Sequence, residues 1–188
     1  MSLIEPDNSQ SKADLWYKIR ENGTTVLIAL ALAFVIRVFI AEPRYIPSES
    51  MSPTLETGDR LVIEKVAYKF HAPDNGDIIV FHPPKKLRIL GYESNQAFIK
   101  RAIAKAGETV AVKNGIVYVN NQPLAENYIE APPEYDYPEI IVPKGKLFVM
   151  GDNRNNSNDS HIWGFLPTEN VIGHAVFRFW PLERIGTV

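Results

Sequence analysis

The sequence predicts a mainly β domain that follows a single N-terminal transmembrane helix. The first observation is the longest apolar run, TTVLIALALAFVIRVFIA at residues 24–41, which is about as long as a bilayer is thick. The second is that helical patterns become scarce from residue 42, where short β-rich runs alternate with turn-forming clusters. We therefore divide the chain into a short polar tail (1–23), an anchor (24–41) and one antiparallel β domain (42–188).

The apolar run is predicted to cross a membrane. As a helix it would measure about 27 Å at about 1.5 Å per residue. A cleaved secretory signal would begin nearer the N-terminus and end in a small-residue site, whereas AEPRYIPS follows here. A buried core helix is the other alternative, but nearly unbroken apolarity on all faces favours lipid. Arg37 lies near the C-terminal end, where its long side chain can reach the interface.

Basic residues predict the orientation of this anchor. Lys12, Lys18 and Arg20 precede the apolar run. Arg44 is the nearest basic residue after it, and Arg37 inside the run weakens the asymmetry slightly. The positive-inside rule then leaves the N-terminus in the cytoplasm and the domain outside it.

The domain is predicted to consist of short strands joined by turns. The clearest pair is TVAVKNGIVYV, in which Asn114-Gly115 can supply the positive φ angles of a tight hairpin turn. Prolines lie outside the apolar run, mostly at strand ends and in loops. The predicted strands are RLVIEKV, DIIVF, FIKRAIA, TVAV, IVYV, IIV, KLFVM and VIGHAVFRFW.

Composition excludes several classes of function. A net charge of −2 argues against a general nucleic-acid binder, and 45% hydrophobic with 22% charged residues is an ordinary globular mix. The chain has no cysteine, which excludes disulfides, thiolate metal sites and cysteine nucleophiles. Its four histidines do not have metal-ligand spacing, and no glycine-rich phosphate loop is present. We expect neither a metal nor another cofactor.

Two segments carry the candidate chemistry. Residues 46–55, IPSESMSPTL, offer hydroxyls directly after the anchor, although such a stretch alone is more typical of a polar linker. Lys100 stands inside the apolar stretch of FIKRAIA, where the ordinary interpretation is a lysine at a sheet edge. A hydroxyl becomes a nucleophile when a neighbouring base takes its proton, and burial lowers the pKa of a lysine enough for that role.

A third segment, GDNRNNSNDSHIWG at residues 151–164, is nearly all polar although strand-like runs bracket it. It is either a solvated loop or a loop whose side chains bond the backbone and position a site. His161 is either a residue that orients a group in this loop or a surface residue.

Together these segments resemble a family. An anchor, then PSESMSPTL, GDRLVI, FIKRAIAKAGE and GDNRNNSNDSHIWG follow one another as in type I signal peptidases, membrane-anchored serine proteases that remove signal peptides from exported preproteins. The resemblance covers most of residues 24–180. It implies a signal-peptidase-type antiparallel β-sheet domain, preprotein signal peptides and the lipid bilayer as partners, and cleavage after small residues of the Ala-x-Ala type.

The resemblance also implies roles for individual residues. Ser50 matches the nucleophile and Lys100 the general base, while the Ser50 N–H and the Ser48 hydroxyl match the oxyanion donors. Ser157 matches the serine that hydrogen-bonds the base. Asp159 matches a supporting acid, which we expect to be bound to Arg101 or to loop backbone.

Further residues are implied as support and as substrate contacts. Arg101, Asp152 and Arg154 are expected to be structural. We expect Met51 to rest against the lipid surface. The walls of the pockets for small substrate side chains are predicted to be Ile46, Leu55 and Ile99.

The chain departs from the family pattern at three places. Its lysine motif ends in Gly107-Glu108, where Gly-Asp is usual, and it has His161 and Asn155 where many members have arginine and aspartate. We expect neutral hydrogen bonds to hold the polar loop instead. The loop looks like the versions in cyanobacterial and plastid members, which makes a thylakoid membrane an alternative to the plasma membrane.

Two other interpretations stay open at this point. A self-cleaving Ser–Lys repressor-type protein would use the same dyad, but it would carry a partner-binding segment in place of residues 24–41. An anchored, non-catalytic β domain that binds exported proteins would not need Ser50 or Lys100.

Overall fold

A computed structural model describes the backbone of residues 8–188 and the side chains of residues 22–188. The chain divides into two compact units, one that ends at Ile40 and one that comprises Ala41–Val188.

The first unit is helical. Helix α1 (Asn8–Val35) continues into a π-helical turn at Ile36–Ile40. Within the described residues, Asn22–Ile40 is the one helical stretch long and apolar enough to cross a membrane, with a mean hydropathy of 2.3 and none of it buried inside the protein. This exposure argues against a buried core helix.

The helix begins earlier than the sequence analysis predicts. Residues 8–23, assigned to a polar tail, are helical, because helix formers continue a helix cheaply once a neighbouring segment has nucleated it. Residues 1–7 of that tail lie outside the described residues. So do the side chains of Lys12, Lys18 and Arg20, on which the orientation depends.

The second unit is built almost entirely of strands. Two short helices, α2 (Lys85–Ile89) and α3 (Ser160–Trp163), and 3-10 turns at Ala67–Lys69, Thr168–Asn170 and Leu182–Arg184 interrupt them. The strands are β1 (Ala41–Tyr45), β2 (Arg60–Glu64), β3 (Ile78–Phe81), β4 (Phe98–Lys105), β5 (Thr109–Lys113), β6 (Ile116–Val119), β7 (Gln122–Pro123), β8 (Tyr137–Ile141), β9 (Lys146–Met150), β10 (Leu166–Pro167), β11 (Val171–Trp180) and β12 (Gly186–Thr187).

These strands form two antiparallel sheets within the described residues. The large sheet has eight strands in the order β1-β2-β11-β3-β4-β9-β10, with β12 paired to β11. The small sheet has four, in the order β7-β6-β5-β8. The chain leaves the large sheet after β4 and returns to it with β9, so that β4 lies between β3 and β9.

All eight predicted runs contain strands, which confirms a mainly β domain. The hairpin turn between β5 and β6 is also confirmed, since Asn114 and Gly115 have φ values of 51° and 75°. Strand β1, AEPRY, was not predicted, because it lacks alternation and contains Pro43. It occupies the edge of the large sheet, where a proline leaves no ladder hydrogen bond unmade.

Apolar side chains fill the space around the sheets in three clusters. One cluster contains Ile46, Met51 and Leu55 from the segment IPSESMSPTL, residues 46–55. Ile99 and residues of β2, β3 and β11 complete it. Burial of these side chains holds the chain between β1 and β2 against the large sheet.

Candidate active site

Ser50 lies on the loop between β1 and β2, residues 46–59, which we call the serine loop. Its neighbour Met51 is completely buried, and the backbone N–H of Leu55 donates to the Met51 carbonyl oxygen at 2.9 Å. Because Met51 and Leu55 are both core residues, the loop is fastened on the protein side, and Ser50 lies at the boundary between the core and the surface.

Lys100 projects from β4, in the interior of the large sheet, opposite Ile79 of β3. Its side chain is only 4% exposed, so the edge-lysine interpretation is wrong. A lysine in a central strand cannot extend into water, and its amine must find a partner inside the protein.

The two segments meet at these residues. Lys100 Nζ lies 2.7 Å from Ser50 Oγ and also donates to the carbonyl oxygen of Ile99 at 2.9 Å. Ser48 Oγ is 3.4 Å from Ser50 Oγ, which places a second hydroxyl beside the first. Residues far apart in the chain thus form a hydroxyl–amine pair with the geometry that proton transfer needs.

Burial lowers the pKa of Lys100 to about 8, although the carboxylates of Asp159 and Asp152 act in the opposite direction. At pH 7, a lysine at its ordinary pKa is neutral in roughly one molecule of 2,500, whereas a pKa near 8 makes about one in ten neutral. The site therefore supplies a free amine next to a hydroxyl.

The polar loop at residues 151–164 is a network loop, not a solvated one. Asp159 is fully buried and accepts hydrogen bonds from the Gly151 N–H at 2.9 Å and from the His161 N–H at 3.2 Å. The His161 ring nitrogen Nδ1 lies 2.7 Å from the same carboxylate, and the ring stacks on Tyr135. Asp159 thereby caps α3 and fixes the start of the loop.

Arg101 takes a different partner from the one that we considered. Its guanidinium binds both carboxylate oxygens of Asp152, with Nε–Oδ1 at 2.9 Å and Nη2–Oδ2 at 2.6 Å. Asp159 is held by loop backbone and His161 instead. Thr54 also donates to Asp152, at 2.6 Å, so this carboxylate links β4, the polar loop and the serine loop.

Arg154 is a buried cation of the polar loop, with 1% exposure. Its Nη1 donates to Glu126 at 2.8 Å and its Nε donates to the Gly151 carbonyl oxygen at 3.1 Å. Arg101 forms an ion pair with Asp152, and Arg154 forms another with Glu126. The supporting role of Arg101, Asp152 and Arg154 stays a prediction. Sequence reasoning did not find Glu126, which precedes β8 in a stretch without any motif.

Gly151 lies where the polar loop packs tightly against the serine loop. A Cβ atom at this position would lie 2.3 Å from both the Ser50 carbonyl oxygen and Ser157 Oγ. Asn153 N–H donates to the same Ser50 carbonyl oxygen at 3.2 Å. The first glycine of GDNRN is therefore a site residue that the sequence analysis missed, although its place in the motif was a usable signal.

One expected contact is not found. Ser157 is buried beside Gly151, but its hydroxyl has no hydrogen-bond partner among the described residues, so the predicted bond to Lys100 is not formed in this structure. By contrast, Asn155 makes the neutral bonds expected of it. Its side chain donates to the Pro132 carbonyl oxygen at 3.0 Å and accepts from the Glu134 N–H at 2.9 Å.

Two hollows adjoin Ser50 and Lys100. One of about 300 Å³ is lined by the first residues of β4 and the chain before it, including Ala97 and Ile99, and by Pro47 of the loop between β1 and β2. The other, of about 280 Å³, is bounded by more polar groups, including Glu49, Asn156 and Asn158. Ser48, Ser50, Phe98 and Lys100 line both.

The predicted pocket walls need correction. Ile99 lines the larger hollow, but Ile46 and Leu55 do not, because they are 3% and 0% exposed and belong to the core beneath it. The expectation that Met51 rests against lipid is wrong for the same reason, since its side chain is fully buried. An apolar residue in a loop is not thereby a surface residue, because the loop itself can fold onto the core.

A mainly β domain with a serine hydroxyl beside a buried lysine amine is an arrangement typical of one class of enzyme, the serine hydrolases. Comparison with known proteins gives the family. The model of "Signal peptidase, peptidase S26" matches residues 19–180. A probable signal peptidase I-1 from Synechocystis sp. is 63% identical over 171 residues, which cover 91% of this chain and 87% of that one.

Two further similarities are more distant. Thylakoidal processing peptidase 1 of Arabidopsis thaliana is 44% identical over 169 residues, 88% of this chain and 50% of that protein. A signal peptidase I crystal structure from Enterococcus faecalis V583 has a TM-score of 0.46 and 30% identity, with 55% of this chain and 97% of that chain covered.

The chain belongs to the signal peptidase family, peptidase S26, and is a serine peptidase of the signal peptidase I type.

Proposed function

We propose that this protein removes N-terminal signal peptides from preproteins by means of a Ser50/Lys100 dyad, cutting after small residues. The observation that carries the proposal is the 2.7 Å separation of Ser50 Oγ and Lys100 Nζ, with the amine buried and its pKa lowered to about 8. Family membership supports the substrate class, and the dyad geometry supports the chemistry.

In the proposed reaction, neutral Lys100 takes the Ser50 hydroxyl proton while Oγ attacks the scissile carbonyl carbon. The Ser50 N–H and the Ser48 hydroxyl, 3.4 Å from Ser50 Oγ, stabilise the oxyanion. Protonated Lys100 then gives its proton to the leaving amine, and the C–N bond breaks to leave an acyl-enzyme. A water molecule, deprotonated by Lys100, hydrolyses the ester and restores the serine.

The larger hollow suits the residues before the cut. Its walls include Pro47, Ala97 and Ile99, and its 300 Å³ leave room for small apolar side chains. An extended substrate would lie beside the start of β4 and exchange main-chain hydrogen bonds with it. The proposed Ala-x-Ala preference rests on the family, and the apolar side chains in this lining support it. We keep Ser157 as a base-positioning residue of the dyad, with its buried and unbonded hydroxyl beside Gly151 as support.

The helical first unit supports a membrane-anchored enzyme. We propose a single-pass topology with the N-terminus in the cytoplasm and the β unit outside it, because the basic residues before the apolar stretch outnumber those just after it. The similarity to cyanobacterial and thylakoidal peptidases makes the plasma membrane and the thylakoid membrane the two proposed locations.

The test uses the detergent-solubilised full chain and a preprotein whose signal ends in Ala-x-Ala. Wild type, Ser50→Ala and Lys100→Ala are compared by N-terminal mapping of the product, with Lys105→Ala as a matched control on the exposed end of β4. We expect cleavage after the last alanine by wild type and Lys105→Ala only. Cleavage that survives Ser50→Ala would contradict the dyad, and binding without cleavage by folded wild type would favour a non-catalytic β domain.

A further inference from the structure

Tyr128 lies in the chain between β7 and β8, outside every motif of the sequence, yet its ring contacts the cations that surround the site. The Arg101 guanidinium carbon lies 4.0 Å from the centre of the Tyr128 ring, and that of Arg154 lies 5.9 Å from it. Arginine over an aromatic face is attracted to the ring and loses freedom of movement. One tyrosine therefore restrains two cations.

The hydroxyl of Tyr128 completes this arrangement. It donates to Glu126 at 3.0 Å, and Glu126 also accepts from Arg154 Nη1 at 2.8 Å. Burial raises the pKa of the Tyr128 hydroxyl above its usual range, so the group stays a donor. Glu126 thus holds Tyr128 by its hydroxyl, while the face of the ring lies against the Arg101 guanidinium.

Arg101 matters to the dyad through Asp152. It binds both oxygens of that carboxylate and donates to the Gly76 carbonyl oxygen at 2.8 Å. The carboxylates that face Lys100 are Asp152 and Asp159, and each favours the protonated amine. Asp159 is paired with His161, whereas Asp152 depends on Arg101 for its counter-charge. A displaced Arg101 would leave Asp152 less neutralised and Lys100 more often protonated.

We propose that Tyr128 is a positioning residue of the catalytic site, whose ring holds Arg101 on Asp152 and so keeps the environment of Lys100 suited to a neutral amine. This inference rests on the proposed function of the Ser50/Lys100 pair. It predicts that loss of the ring changes the rate constant and its pH dependence, while substrate binding stays the same, because Tyr128 does not line either hollow.

The experiment compares kcat and KM from pH 6 to 10 for the full chain in detergent, with one preprotein substrate. The variants are Tyr128→Leu, which removes the aromatic face, and Tyr128→Phe, which keeps it. Tyr118→Leu is the matched control, a half-buried tyrosine of β6 in the small sheet. We expect Tyr128→Leu to move the acidic limb upward by about 0.5 in pH, which lowers kcat about threefold at pH values below the limb, with KM unchanged.

Tyr128→Phe and Tyr118→Leu are each expected to keep the wild-type position of the acidic limb and a kcat within about 1.5-fold of wild type. An unmoved limb in Tyr128→Leu, or an equal shift in Tyr128→Phe, would overturn the proposal. If Tyr128→Leu does not fold, Arg101→Lys tests the same step, because lysine keeps the positive charge but lacks the planar guanidinium that stacks on the ring. An unmoved acidic limb in Arg101→Lys would also overturn the proposal. Wild type that fails to cleave would count against the proposed function instead.

Discussion

The large and the small sheet of the β unit use similar strands but bury different groups. In the small sheet, the buried residues of β5 and β6 are all apolar, and a tight turn at Asn114-Gly115 joins the two strands. In the large sheet, Lys100 is buried on β4, and the loop that follows β9 buries further charges. The buried polar residues of the described part of the chain are Asp59, Lys100, Asp152, Arg154, Ser157, Asp159 and Ser160.

The difference separates stability from chemistry. A buried charge costs several kcal/mol unless it is paired and hydrogen-bonded, so a chain concentrates such groups only where a network can satisfy them. Here that network surrounds Lys100, which is itself left without a carboxylate in hydrogen-bonding contact. The small sheet carries none of these groups, and its contribution is apolar packing.

The largest expected effect follows from the tight packing of Gly151 against the serine loop. Gly151→Ala places a methyl group 2.3 Å from the Ser50 carbonyl oxygen and from Ser157 Oγ, so one of the two loops must move. We expect at least a 100-fold loss of kcat/KM and about 2–4 kcal/mol of lost stability. Preprotein cleavage and denaturant unfolding measure the two quantities.

Gly186→Ala is the control for Gly151→Ala, because a Cβ at Gly186 meets no atom within 4 Å. Near-wild-type kcat/KM in Gly151→Ala would show that the two loops can accept a methyl group at this position. It would contradict the conclusion that the packing of the large sheet's loops controls the site.

The second effect is the pH dependence of cleavage. Burial lowers the pKa of Lys100 to about 8, and in the proposed mechanism the neutral amine is the active form. The rate constant should therefore rise about tenfold per pH unit below pH 8 and level off above it. Rates from pH 5 to 10 test this, with Lys105→Met as a control that should share the wild-type profile because its amine is exposed. A limb centred near 10.4 would mean that Lys100 is not desolvated.

The smallest effect on activity belongs to the small sheet. Gly115→Ala introduces a side chain at a φ of 75°, and we expect a cost of about 1 kcal/mol. Cleavage below the unfolding transition should stay within about twofold of wild type, because the turn contributes no group to the site. Urea unfolding and kcat/KM check the two parts. A loss of activity without a loss of stability would show that the small sheet acts on the site.

Much of this arrangement is encoded locally. Alternation and turn residues predicted the strands and the Asn114-Gly115 hairpin, because both depend on a few adjacent residues. Strand β1 was not predicted, because it forms only by pairing with β2, which lies beyond the serine loop in the chain. The start of helix α1 was predicted too late in the chain, because the polar residues before the apolar run extend a helix that the run nucleates.

By itself, the sequence determined the fold class, the apolar span and the motifs that supply Ser50 and Lys100, since each is a short-range pattern. Only the tertiary structure decided that Met51 is buried, that Arg101 binds Asp152, that Tyr128 covers Arg101 and that Gly151 must lack a side chain. The physical reason is that these contacts join segments distant in the chain. Which partner a charge or a side chain finds depends on the geometry of closely packed loops, and no local pattern contains that geometry.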